Sequence, residues 1–147
     1  MKKEKWLFPT VVVVSTALLI FLAMGIPAVY NYYFPMAESI VCPNDEEITS
    51  ISLTRNTDPA AVIELSDFAY ILQSIRAAQP TRNWSINDYP TVEHYYAVEI
   101  KTSERQYRYF VYTENAQVYL ESPYEGVYKV EQQLLDLLKD SFKDRPN

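Results

Sequence analysis

Read for its hydrophobic and polar positions, the chain falls into two unlike parts. Residues Leu7 to Val29 (LFPTVVVVSTALLIFLAMGIPAV) are almost unbroken apolar sequence, and no charged side chain occurs between Lys5 and Glu38. As a helix these 23 residues reach roughly 34 Å, enough to cross a hydrocarbon core of about 30 Å. Pro9 falls in the first turn, where its missing N–H costs little, and Pro27 is expected to kink or stop the helix near its far end. Trp6 and Phe8 on one side, and Tyr30, Tyr32, Tyr33 and Phe34 on the other, are rings suited to headgroup depth. Lys2, Lys3 and Lys5 precede the run, which places the N-terminus in the cytoplasm and the rest outside. The reading is a basic cytoplasmic tail (1–6) and a transmembrane helix (7–29), with the lipid bilayer as first partner. The competing reading is a cleaved signal peptide, with Ala23-Met24-Gly25 as its small-residue site.

Beyond the run the periodicity changes. Residues 30–45, punctuated by Pro35 and Pro43, read as a connector. From Glu47 to Arg55 the sequence alternates, with a phase break between Ile48 and Ile51 that predicts a bulge or a late strand start. Asn56-Thr57-Asp58-Pro59 is a turn and Ala60–Leu65 a short second strand. Ser66 is placed to cap a helix to about Ala78, with Leu65, Phe68, Leu72 and Ile75 as its apolar stripe. Gln79–Pro90 is a polar loop. Tyr95–Thr102, Arg105–Glu114 and Gln117–Ser122 follow as a close-spaced meander, the last two joined at Asn115-Ala116. A final helix spans about Val130–Phe142, with Val130, Leu134, Leu137, Leu138 and Phe142 on one face. The predicted fold is α+β: the N-terminal transmembrane helix, then a small, mostly antiparallel sheet with two helices packed on one face (46–142), and a short tail (143–147).

Charge and composition narrow the function. The chain carries 13 Lys+Arg against 19 Asp+Glu, a net of −6. Three of those lysines and Glu4 precede residue 6, so 10 Lys+Arg and 18 Asp+Glu remain, a net of −8 for the rest. That is the wrong sign for a nucleic-acid partner. With one Cys and one His, neither a disulfide framework nor a multi-Cys or His-rich metal site is expected, and no cofactor motif is present. Cys42 follows Ser39-Ile40-Val41, without the small preceding residue that lipid attachment would want. It is readable as an intermolecular disulfide partner or as a small, partly buried thiol.

Three groups of residues are candidates for a binding surface. The first is the stretch Glu121–Tyr128, where Pro123 starts a turn, Gly126 is expected to supply a positive φ, and Glu121, Tyr124, Glu125 and Tyr128 could face a cationic, peptide or sugar ligand. The plainer reading is a turn whose tyrosines pack on the sheet. The second is the tyrosines: of 13, Tyr107 and Tyr109, or Phe110 and Tyr112, are expected as an exposed row on the sheet face away from the helices. Ordinary β-propensity explains them equally. The third is Trp84 with Arg82 and Asp88 in the polar loop, either an anchor for a partner or a plug for the core. Catalysis finds little support. His94 and Cys42 lie far apart in sequence, and carboxylate pairs such as Glu121 and Glu125 are the one acid–base arrangement available.

Pro80-Thr81, Ser85-Ile86-Asn87-Asp88-Tyr89-Pro90 and Tyr119-Leu120-Glu121-Ser122-Pro123-Tyr124-Glu125-Gly126-Val127-Tyr128 together resemble an uncharacterised extracytoplasmic domain family of Gram-positive bacteria, mostly Firmicutes. The resemblance covers about residues 47–138. It implies membrane-anchored proteins and lipoproteins, a Ser-x-x-Asp-x-Pro element before a Tyr-rich meander, and a Tyr-x-Glu-x-Pro-Tyr-x-Gly-x-Tyr signature before the last helix. It implies no activity. Ala116 departs from the pattern where Gly would follow Asn, which predicts a looser hairpin turn. The expectation is a non-enzymatic binding domain at the cell surface, with a membrane protein, a peptide or a cell-wall component as partner. A regulatory subunit acting through its transmembrane helix is the alternative, and a carboxylate hydrolase a third.

Overall fold

The computed structural model describes residues 4–64 and 68–143. These form two separate compact units, divided after Pro35. The first is one helix, α1, from Glu4 to Tyr33. Its stretch Pro9–Tyr33, 25 residues, is long and apolar enough to cross a membrane. Leu19, Phe21, Met24 and Ile26 are all exposed, so its apolar character runs round the helix, as in a helix solvated by lipid. The helix does not stop at Pro27 but continues for a further turn and a half. A proline removes one backbone bond, and this near the end of a long helix that loss does not stop it. Met1–Lys3 and residues 144–147 lie outside the described residues, as do Leu65 and Ser66.

The second unit is an open seven-stranded antiparallel sheet with two short helices. Its elements are β1 (Ile48–Arg55), β2 (Asp58–Glu64), α2 (Ala69–Arg76), β3 (Gln79–Pro80), β4 (Tyr95–Thr102), β5 (Gln106–Glu114), β6 (Gln117–Ser122), β7 (Gly126–Lys129) and α3 (Gln132–Ser141). The strand order is β2-β1-β4-β5-β6-β7-β3. The register break anticipated at Ile48 is present between Ile48 and Ser50. Pairing alternates residues between two faces. One row, Arg55–Tyr96–Val111–Leu120–Tyr128–Pro80, crosses six strands. It shares its face with Leu53, Val98 and Tyr109, and the helices bury that face with Ile71, Leu72 and Ile75 from α2 and Leu134, Leu135 and Leu138 from α3. Leu135 takes the place expected for Leu137, which is 38% exposed.

The segment expected to be a connector is instead partly a strap on this unit. Ala37 is buried, and Ile40 and Cys42 pack on the core. The Ala37 amide donates to Thr81 O, the Tyr109 hydroxyl donates to Val41 O, and Arg76 donates to Pro43 O and pairs with Asp45. The signal for this was too sparse to read, because one apolar residue in two or three makes a period without a stripe. Burial raises the Cys42 thiol pKa, which Arg76 partly offsets, so the thiol is a protonated packing group at neutral pH.

The β5–β6 hairpin is tighter than Ala116 suggested. Glu114 pairs with Gln117, and the two turn residues, Asn115 and Ala116, have φ of 50° and 61°. Both are left-handed, the requirement of a two-residue primed turn. Alanine accepts that conformation at a cost glycine avoids. Ala116→Gly is therefore expected to stabilise the chain by about 1 kcal/mol, read as a higher midpoint in thermal unfolding. An unchanged or lower midpoint would mean the turn is not left-handed at 116.

Candidate functional site

The candidate residues gather where the β6–β7 hairpin meets the loop between β3 and β4. β6 ends at Ser122, and Pro123 cannot continue the ladder. The Glu125 amide donates to Ser122 O at 3.1 Å, closing a turn with Pro123 and Tyr124 at its centre. The positive φ of this turn belongs to Tyr124, at 62°, and not to Gly126. Pro at the first central position and a left-handed second one is the type II pattern, usually met with Gly at the second. Gly126 is required for another reason. A Cβ there would lie 2.5 Å from the Cβ of Ala37 on the strap.

The hairpin sends its two carboxylates to opposite sides. Glu121 shares a row with Ala97, Phe110 and Val127, on the face away from the helices. It is 7% exposed and accepts the Ser85 hydroxyl at 2.6 Å. Glu125 accepts the Ser122 hydroxyl at 2.6 Å, on the helix side; burial first, with Glu125 adding to it, raises the pKa of Tyr109 and Tyr128. His94 is elsewhere, exposed and 3.7 Å from Glu93. The expected grouping of Glu121, Glu125 and Tyr124 on one side does not form, because residues either side of a turn of this size need not keep strand alternation.

Neither sheet face presents a row of rings. Tyr109 and Tyr128 are each 1% exposed in the core under the helices, and Tyr107 packs against the same cluster, with Arg105 over its ring at 4.0 Å. On the other face Phe110 and Tyr112 are buried too. Burial, then the Glu121 carboxylate, raises the Tyr112 phenol well above its usual range. What covers this face is the loop. Thr81 bonds Val127 O through both amide and hydroxyl, the Val127 amide donates to Asn83 O, and Ser85 reaches Glu121. Tyr89 then lies 5.6 Å from the Phe110 ring centre. A polar loop without periodicity carried no sequence signal that it would cover a sheet.

Pinning the loop inward at Ser85 turns its neighbours outward. Trp84 is 51% and Ile86 76% exposed. Tyr89 keeps one side exposed, and Tyr124 is 63% exposed while its hydroxyl donates to Asp88 at 2.7 Å. That bond to a carboxylate raises the Tyr124 pKa. Of the residues singled out from sequence, Trp84 and Tyr124 are thus both exposed where the loop meets the hairpin, and the loop adds Ile86 and Tyr89 as further exposed apolar side chains. Glu121 supports the loop from beneath. Glu125, Tyr107, Tyr109 and Tyr128 do not belong to this group. Ile86 was legible only as part of a family-like motif.

Comparison with known proteins bears on the whole domain. The family model described as a domain of unknown function, DUF5301, matches residues 36–129. A solved structure, the NMR structure of a protein from Ruminococcus gnavus, superposes with a TM-score of 0.54 at 28% identity, covering 66% of this chain and 99% of that one. No curated protein matches.

Proposed function

Since the chain belongs to the DUF5301 family, whose description names no activity, we propose from its own surface that it is a non-enzymatic, membrane-anchored binding module. In this reading α1 spans the cell membrane once with the N-terminus in the cytoplasm, and the second unit lies outside, as in the Gram-positive proteins it resembles. The three N-terminal lysines and the acidic remainder support that orientation. The binding surface is Trp84, Ile86, Tyr89 and Tyr124, and its partner is a polypeptide. The observation that carries the reading is that these apolar side chains face solvent from backbone held in place by the Ser85–Glu121, Asn83–Val127 and Asp88–Tyr124 bonds. Large apolar groups exposed on a preorganised loop mark an interaction site, because little ordering entropy remains to be lost on binding. An aliphatic side chain beside Trp and Tyr suits apolar side chains better than it suits a sugar face.

The test is in-cell crosslinking of the full-length chain, with mass spectrometry of what is captured. Trp84→Ala with Ile86→Ser is expected to reduce capture of a polypeptide at least about tenfold, while the melting midpoint moves by less than about 4 °C. Capture that survives both changes but disappears when α1 is exchanged for an unrelated span would reject the surface and favour a subunit acting within the bilayer. Capture insensitive to all three changes would reject both readings.

A further inference from the structure

A second feature lies at the far end of the sheet from the Tyr124 turn. Where β1 ends, β4 begins and β5 ends, the last turn of α3 leaves a cavity of about 530 Å³. Its wall is apolar, with Tyr96, Val111 and Leu135. Besides tyrosines, its ionisable groups are Arg55, Lys139, His94 and Glu93. Arg55 and Lys139 against Glu93 make two positive charges to one negative, in a chain whose net charge is −6. The one carboxylate, Glu93, points into solvent with its side chain 88% exposed. Asp58 is near Arg55 across the β1–β2 pair but does not line the cavity.

Arg55 is the residue that needs explaining. Its Nε is shielded from solvent and has no hydrogen-bond partner among the described residues. Leaving a charged donor buried and unpaired is costly, so such groups in native structures point to a missing partner. The side chain is also positioned. Its guanidinium lies 5.5 Å from the Phe142 ring centre, and that ring packs on Tyr96 at 5.6 Å. An arginine held on an aromatic shelf beside an apolar cavity suits the two oxygens of a carboxylate, which a guanidinium can bond in pairs. The Asn56 side chain does not compete for such a ligand. Its amide already donates to Glu93 O and its oxygen accepts the Tyr95 amide.

The geometry points to a binding site for a small organic carboxylate. Its oxygens bond Arg55, Lys139 supplies further charge from α3, and its apolar body lies along Val111, Leu135 and Tyr96. The site is separate from the Trp84 surface, so either can fail without the other.

The test uses the full-length chain in lipid nanodiscs and observes the ligand by saturation-transfer NMR, with empty nanodiscs as the blank. The probes are benzoate, acetate and benzylamine. Benzoate is expected to bind at least about fivefold more tightly than acetate, because only its ring reaches the apolar wall, and benzylamine is expected not to bind. Arg55→Met should weaken benzoate at least about tenfold, with a smaller loss for Lys139→Met. Lys139 is exposed, so that variant keeps the fold and decides the matter if Arg55→Met does not fold. Equal transfer to benzylamine, or benzoate affinity unchanged in the Lys139 variant, would overturn the site. Equal affinity for acetate and benzoate would overturn the part assigned to the apolar wall.

Discussion

Tyr128→Ala is expected to destabilise the α+β domain by about 3–5 kcal/mol, whereas Trp84→Ala is expected to cost well under about 1 kcal/mol. Both residues read from sequence as candidates for one binding surface, and their environments separate them. Tyr128 is 1% exposed and sits between Leu120 of β6 and Pro80 of β3 in the row that crosses the sheet. Its ring is part of the core that α2 and α3 close over. Removing it leaves a cavity bounded by sheet backbone, which has little freedom to collapse. For a domain of about this size the loss corresponds to a drop in melting midpoint of at least about 12 °C, enough to leave a marginally stable fold partly unfolded. Tyr128→Phe keeps the ring and is expected to stay within about 1 kcal/mol of wild type. Near-UV circular dichroism of the full-length chain during heating reads all three. A Tyr128→Ala midpoint close to wild type would mean that the ring is dispensable and the core differently packed.

The contrast between these residues shows what a single sequence carries. Strands β4, β5 and β6 were legible nearly to the residue, because alternation over six to nine positions with a polar turn between leaves few other solutions. The exposed apolar run of α1 was legible for the same reason of length. What could not be read was which face would be buried. Alternation divides Tyr107, Tyr109 and Val111 from Arg108, Phe110 and Tyr112 without saying that both sets would be covered. Helices cover the first set, and a loop without period covers much of the second. The loop became a functional candidate only when Ser85 was found turned inward, since that forces Trp84 and Ile86 outward. The cavity at Arg55 was less legible still. It is assembled from β1, the β4 entry, β5 and α3, and no local pattern links Arg55 to Lys139. Tyr124 and Gly126 mark a different limit. Turn chemistry assigned the left-handed conformation to the glycine, by general preference, but the close approach of a distant segment was using that glycine.

That approach gives the second large effect. Gly126→Ala is expected to destabilise the domain by about 1–3 kcal/mol, and the sign is not obvious in advance. Gly126 has no positive φ, so alanine is conformationally acceptable there. On entropy alone the change should stabilise by about 0.4–1 kcal/mol, through the unfolded chain. Opposing this, the new Cβ would lie 2.5 Å from the Ala37 Cβ, a distance that carbon atoms cannot keep. Ala37 has no longer side chain to swing aside, and its amide is tied to Thr81 O at 2.8 Å. Relief must come from moving the strap, and with it the Tyr109–Val41 and Arg76–Pro43 bonds that hold the strap to the core. The overpacking penalty therefore exceeds the entropic gain. The decisive comparison is a double-mutant cycle on thermal unfolding with Ala37→Gly, which removes the opposing methyl. The double variant should recover at least about 0.5 kcal/mol relative to additivity, because a Cβ at 126 then occupies space vacated at 37. Strict additivity, or a Gly126→Ala variant more stable than wild type, would show that the strap does not lie against the hairpin. In that case residues 36–44 would be the connector their sequence suggests.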